Sequence, residues 1–275
     1  MKNHIIKYAR AGYPGLFLVS HEEARVEAEL KSAADQLGYG LHAWSTTGGL
    51  VDTATGESRD LPDPLAALEA AEGLPERSFL LLHDLPLFLE DGNPVLIRRL
   101  KDTLRAAKAT AKMLVLLGCR ANLPPELERE CVRLDFPLPD REALAVVLDG
   151  IVASAELKEI TEEVRNAALD AAAGLTTVEA ENAFALSVIE TGAIEPRVVA
   201  REKAHALKSN GLLEIVATTE SLEGVGGLDQ LKEWLRKRRN AFGQAARDYG
   251  LPSPKGLLIV GIPGTGKSLT AKATA

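Results

Sequence analysis

The chain has 275 residues and a net charge of −7, and its 46% apolar and 26% charged fractions are those of an ordinary globular protein, not a disordered or fibrous one. Two cysteines exclude a disulfide framework, no run approaches the roughly 20 apolar residues of a membrane-spanning helix, and aromatics are scarce, which leaves a core of Leu, Val, Ile and Ala. Layered α/β structure suits that profile better than an all-β sandwich, and a reducing, cytoplasmic compartment is the expected setting.

Residues 16–19 read as a short buried strand, followed by a charged helical run over 21–37 and a second strand at 41–45. A helix is expected over 62–71, then a strongly apolar strand at 79–82 with His83 and Asp84 at its end. Pro94 opens a helix to about residue 109 with Val95, Ile97, Leu100 and Leu104 on its apolar stripe, and strands follow at 113–117 and 132–136. Strands alternating with helices imply parallel β-α units and a doubly wound sheet. Beyond Pro139 the pattern becomes helical, over 141–153, 156–173, 177–190 and 196–209, with Gly174 and Gly192 as stops. Thr176 and Glu179 have capping-box spacing at the third of these helices.

Charge changes sign near the end. From Thr219 onward nine basic residues outnumber five acidic ones, whereas the preceding part has 23 basic and 34 acidic. That asymmetry favours a boundary there, giving an α/β core over 1–139, a helical lid and linker over 140–218, and a further module over 219–275. Arg236-Lys237-Arg238-Arg239 is the only basic run. It spans barely one helical turn and lacks interleaved aromatics, so a solvated face or a subunit contact is favoured over nucleic acid.

One segment carries strong chemistry. Gly261-Ile262-Pro263-Gly264-Thr265-Gly266-Lys267-Ser268 satisfies the P-loop pattern in full. Residues 257–260 read as the strand leading in, and a helix is expected to start at Leu269. Glycines let backbone N–H groups close on phosphate where a side chain would collide, and the helix N-terminus adds unsatisfied donors. In such a loop Lys267 reaches the β- and γ-phosphates and the Ser268 hydroxyl completes a Mg²⁺ shell. Pro263, Gly264, Thr265, Gly266, Lys267, Ser268 and Leu269 are therefore the nucleotide-binding candidates, with ATP and Mg²⁺ as ligands and Ser268 as the metal contact.

Upstream, Val225-Gly226-Gly227-Leu228 precedes an amphipathic helix, and Gly250-Leu251-Pro252-Ser253-Pro254-Lys255-Gly256 runs into the P-loop strand. That order resembles the opening of an AAA+ module, which makes Val225, Gly226 and Gly227 adenine-side candidates and argues against a P-loop kinase or GTPase. A closer resemblance is to the hypothetical chloroplast reading frame forty-six ATPases of algal plastids, cyanobacteria and other bacteria. It covers nearly all of the chain after about Phe79. It rests on Gly174-Leu175-Thr176-Thr177-Val178-Glu179-Ala180-Glu181-Asn182-Ala183-Phe184, on Glu202-Lys203 and Gly211-Leu212-Leu213-Glu214, and on Gly226-Gly227-Leu228-Asp229 and Leu231-Lys232-Glu233-Trp234-Leu235.

The resemblance implies a degenerate AAA+-like core with its lid, followed by an intact AAA+ module. It also implies a homo-oligomeric ring that couples Mg-ATP hydrolysis to remodelling of a macromolecular partner, in the cytoplasm or a plastid stroma. The alternative is a nucleotide-binding scaffold with little turnover. In the first module Ser20-His21-Glu22-Glu23-Ala24-Arg25 stands where glycines and a lysine belong, so phosphate binding there is not expected. Asp84 resembles a Walker B aspartate, but Leu85 follows it where a catalytic Glu is usual, and a loop-capping role is favoured. Asn122, in Cys119-Arg120-Ala121-Asn122, stands at a sensor position but reads as a turn residue. Only seven residues follow Ser268, so no catalytic residue of the second module is expected in this chain, which is read as a fragment of a longer ATP hydrolase.

Overall fold

The sheet is built outward from its most apolar strands. The computed structural model describes residues 1–120, 122–157, 160–209, 221–238, 241, 246, 249–252 and 255–274. Expected features at Ala121, 211–220, Arg239, Ser253 and Pro254 lie outside the described residues, among them the boundary at 218–219 and the Gly211–Glu214 motif. The chain divides into two compact units, Met1–Ala206 and Leu207–Ala275.

In the first unit β1 (Gly15–Val19), β2 (Gly40–Ser45), β3 (Gly49–Asp52), β4 (Ser58–Arg59), β5 (Ser78–His83), β6 (Met113–Gly118) and β7 (Val132–Asp135) form one sheet. Its order is β4-β3-β2-β5-β6-β1-β7. Strands β2, β5, β6, β1 and β7 are parallel, and β1 lies between β6 and β7 with Leu16 opposite both Val115 and Val132. The expected doubly wound α/β core is present, but the sheet is mixed, because β3 and β4 add an antiparallel edge beside β2. That ribbon has no continuous apolar run, and it depends on Gly49 at φ +67°, where a Cβ would fall 2.1 Å from the Arg59 carbonyl oxygen.

Both faces of the sheet are covered, which is why its central strands read as unbroken apolar runs. On one face Phe17, Leu80, Leu82, Leu114 and Leu116 pack with α3 (Pro64–Ala70) and α4 (Pro94–Ala109). On the other Leu16, Leu18, Phe79, Leu81 and Val115 pack with α1 (Lys2–Arg10) and α2 (Glu23–Leu37). Helix α1 was not anticipated, since only Ile5 and Ile6 of its nine residues are buried. In α4 Ile97, Leu100 and Leu104 are buried as expected, but Leu96 is buried in place of Val95, which is 62% exposed.

After the sheet, α5 (Arg141–Ser154), α6 (Glu162–Ala172), α7 (Thr177–Thr191) and α8 (Pro196–Ser209) pack around Leu144, Leu148, Leu169, Phe184 and Val199. The helix expected from residue 156 starts later, at Glu162. Glu156 turns left-handed at φ +50°, and the Thr161 hydroxyl accepts from the Val164 amide at 3.3 Å to begin α6. The capping box at α7 is formed as expected, with Thr176 Oγ1 accepting from the Glu179 amide at 3.2 Å and Glu179 accepting from the Thr176 amide at 2.8 Å.

Gly15 opens β1 in a place without room for a side chain: a Cβ there would lie 2.7 Å from Leu104 Cδ2 and 2.8 Å from Cys131 Sγ. Gly15→Ala is expected to cost roughly 1–3 kcal/mol in urea denaturation, from overpacking alone. Burial, with the Glu130 charge second, pushes the Cys131 thiol up to about 12, whereas Cys119 is exposed. Thiol labelling at pH 8 is therefore expected to modify one cysteine in the folded chain and the second only after unfolding.

Candidate nucleotide-binding site

Two places bear on nucleotide chemistry, one in each unit. In the second unit a 3-10 turn, Leu222–Gly224, leads into buried Val225 and exposed Gly226 and Gly227. The chain turns left-handed at Gly227 (φ +66°) and Leu228 (φ +57°) before α9 (Asp229–Arg238). Lys232 Nζ donates back to the Val225 carbonyl, which holds this turn on α9. The basic run on α9 is engaged locally: Lys237 pairs with Glu233 at 2.7 Å, Arg236 with Glu223 at 3.9 Å, and the Arg238 guanidinium stacks 3.8 Å above Trp234.

The P-loop turns into α10 (Lys267–Thr274). The helix begins two residues earlier than expected, at Lys267 and not Leu269, with Thr270 N–H donating to the Gly266 carbonyl at 2.9 Å as its first closing bond. The amides of Lys267, Ser268 and Leu269 therefore fall in the first turn, where a helix has no acceptors of its own. Gly264 and Gly266 have φ of +84° and +75°, and the space a Cβ would enter at each is open. The loop is braced by Thr265 Oγ1 donating to the Ile262 carbonyl at 2.8 Å, and Lys267 Nζ donates to that same oxygen at 2.6 Å. Open glycines, first-turn amides and a lysine folded over them form a donor set that fits a polyphosphate. Helix α10 also packs against the 3-10 turn that precedes Val225, so the two candidate segments come from neighbouring elements.

The lead-in strand is a correction. Residues 257–260 form no strand, and Leu258, Val260 and Ile262 are 86%, 83% and 74% exposed. A central parallel strand is stabilised by neighbours on both sides, and no described residue pairs with this segment.

In the first unit β1 lies between β6 and β7, and the chain turns from its carboxyl end into α2. Glu22 is the residue before α2, not within its first turn, and its side chain makes no capping bond to its own helix. It accepts instead from Arg25 Nη1 at 2.5 Å, from the Thr177 amide at 2.5 Å and from Thr177 Oγ1 at 2.8 Å. His83 lies between two carboxylates of α2, with Nε2 2.9 Å from Glu27 and Nδ1 3.6 Å from Glu23. Cys119 is held above its ordinary pKa by burial first, then by the charges of Asp84 and Glu23. The junction thus presents carboxylates, and among the described residues no His, Cys, Asp and Glu cluster could hold a metal ion. Asn122 lies away from it, on a groove with Glu90, Arg120 and Glu126.

Asp84 caps with its backbone, not its side chain. At φ +54° its N–H donates to the Leu117 carbonyl and its carbonyl accepts from Leu87 N–H, both at 3.0 Å, while the carboxylate caps nothing.

The mostly parallel sheet with helices on both faces and the helical layer after it make an AAA-like α/β fold. The FIGL-1 AAA domain in complex with ADP superposes with a TM-score of 0.50 at 12% identity, over 82% of this chain and 78% of that one. A chain of the HORMA:CdnC:Trip13 complex of E. coli MS115-1 does so with 0.50 at 13%, over 79% and 89%. Those likenesses concern the fold. Family profiles go further: the SpoVK-like AAA ATPase N-terminal domain matches residues 1–136, and the second domain of the same family matches 142–210. The chain belongs to the SpoVK-like AAA ATPases. Its relatives include the uncharacterized AAA domain-containing protein ycf46 of Pyropia yezoensis, 32% identical over 97% of this chain and 55% of that protein. The ycf46 protein of Trieres chinensis is 31% identical over 99% and 56%. The resemblance thus reaches back past Phe79 to the first strand, and the chain spans about half the length of the curated relatives it matches. ATP, as a rule with Mg²⁺, is the ligand of this class, and no helix among the described residues is long and apolar enough to cross a membrane.

The left-handed turn at Asp84 gives a test of its role. Asp84→Gly is expected to change urea stability by less than about 0.5 kcal/mol, and Asp84→Val to cost roughly 1–2 kcal/mol, because a β-branched residue resists positive φ.

Proposed function

We propose that this chain binds Mg-ATP through the loop at Pro263, Gly264, Thr265, Gly266, Lys267, Ser268 and Leu269. In this reading Val225, Gly226 and Gly227 lie on the adenine side and the Ser268 hydroxyl supplies the protein's contact to Mg²⁺. The observation that carries it is the pairing of a complete P-loop pattern with a helix starting at Lys267 and left-handed glycines at 264 and 266. First-turn amides and the helix dipole favour phosphate oxygens, and Lys267 needs only to exchange the Ile262 carbonyl for one of them.

Residues 1–139 then act as a non-catalytic ATPase-like core, 140–218 as its lid and linker, and 219–275 as the start of the nucleotide-binding module. The longer protein to which such a module belongs works as an AAA+ ATPase, a homo-oligomeric ring that couples Mg-ATP hydrolysis to remodelling of a macromolecular partner. Family membership supports this at the level of the class. The partner is taken to be protein, since the basic residues of α9 are engaged by Glu223, Glu233 and Trp234.

Titration of the 275-residue chain with a fluorescent ATP analogue and Mg²⁺ tests the assignment. Lys267→Ala is expected to weaken binding by roughly tenfold to a hundredfold, the worth of a charge-assisted hydrogen bond. Equal affinity in the two proteins would overturn the P-loop assignment. Turnover absent from a full-length homologue that binds normally would favour the scaffold reading.

A further inference from the structure

The carboxylate of Glu22 reaches across 155 residues of sequence to the first turn of α7. Its side chain is 5% exposed, so the ion is desolvated and depends on its partners. Three donors satisfy it: the Thr177 amide and hydroxyl from the lid, and Arg25 from α2. Each component is held by something else. Ser20 Oγ accepts from the Glu22 amide at 2.9 Å and sets the turn out of β1. Arg25 also donates to the Pro137 carbonyl at 3.2 Å and lies 5.1 Å from the centroid of the Phe136 ring, at the point where the chain leaves the sheet for the lid. On α7 the capping box uses the Thr176 and Glu179 amides, which leaves the Thr177 amide for an acceptor from outside the helix. A negative charge there is also favoured by the α7 dipole.

We propose that Glu22 is an internal latch. At the strand-to-helix junction where an intact module binds phosphate, this chain supplies its own anion and uses it to hold the lid on the core. Closure of the first module is then independent of nucleotide: a phosphate entering the junction has to displace Glu22 and meets Glu23 beside it. The Met1–Ala206 unit behaves as one closed body through any ATP cycle. This does not depend on whether the loop at 261–268 binds ATP.

Hydrogen–deuterium exchange on the whole 275-residue chain, with and without Mg-ATP, tests the latch. The first turn of α7 is expected to be protected and unaffected by Mg-ATP. Glu22→Ala is expected to speed its exchange at least about tenfold while β5 and β6 keep their protection. Thr177→Val, which removes the hydroxyl and keeps the amide, should give a smaller increase. Unchanged α7 exchange in Glu22→Ala, or α7 protection that rises with Mg-ATP in the unmutated chain, would overturn the proposal. If Glu22→Ala does not fold, the cycle of Glu22→Gln and Thr177→Val decides the matter. Non-additive effects on unfolding support the latch, and additive ones refute it.

Discussion

The placement of β1 governs the rest of the first unit. It is hydrogen-bonded to β6 on one side and β7 on the other, and Leu16, Phe17 and Leu18 are fully buried between the two helical layers. Each such side chain contributes about 1.5–3 kcal/mol when withdrawn from water, so the strand cannot shift or slip without losing several at once. Slippage by one residue would drive Phe17 into the layer built around Leu16 and Leu18. With β1 fixed, the Ser20–Glu22 turn at its carboxyl end is fixed too, and so is the direction in which the Glu22 carboxylate points.

The turn from β1 into α2 and the loop that enters α10 carry opposite electrostatics. At the loop of residues 261–268, glycines leave backbone donors open and Lys267 adds a positive charge. At the end of β1 there are no glycines to open the backbone, and the residues before and within α2 are Glu22, Glu23 and Glu27, the last two facing His83. A desolvated carboxylate is tolerated only when paired and hydrogen-bonded, and Arg25 with Thr177 meets that requirement. The junction is filled by its own anion, and the Thr177 amide and hydroxyl have a resident acceptor.

Much of this was legible because burial on both faces writes itself into sequence as continuous apolar runs. The apolar runs at 79–82 and 113–117 mark β5 and β6 for that reason, and the capping-box spacing of Thr176 and Glu179 marks the start of α7. Features resting on few buried residues were not legible: α1 commits only Ile5 and Ile6, and the β3–β4 ribbon is held by backbone pairing and by the tight approach at Gly49. At the site the P-loop pattern was local and complete, so it could be recognised. Glu22 gave no comparable signal. Its partner lies in another layer of the fold, and no local rule connects positions so far apart. The misreading of residues 257–260 has a different source, since apolar content describes what a segment needs and not whether its partners are present.

That last point bears on how the loop at 261–268 would acquire affinity for the nucleotide proposed to bind there. Ordering a residue in an extended conformation costs roughly 1–2 kcal/mol of backbone entropy, which a central strand offsets by pairing and by burying both faces. Leu258 and Val260 bury little, so burial contributes little to ordering the amino-terminal side of the loop. Sheet partners that covered them would fix the loop's amides before phosphate arrives, and the ordering cost would no longer be charged against binding. By linkage, nucleotide that orders the loop must favour strand pairing by the same free energy. On the proposed assignment, nucleotide binding and any pairing of residues 257–260 would be two faces of one equilibrium, whereas the Glu22 latch of the first unit would stand outside it.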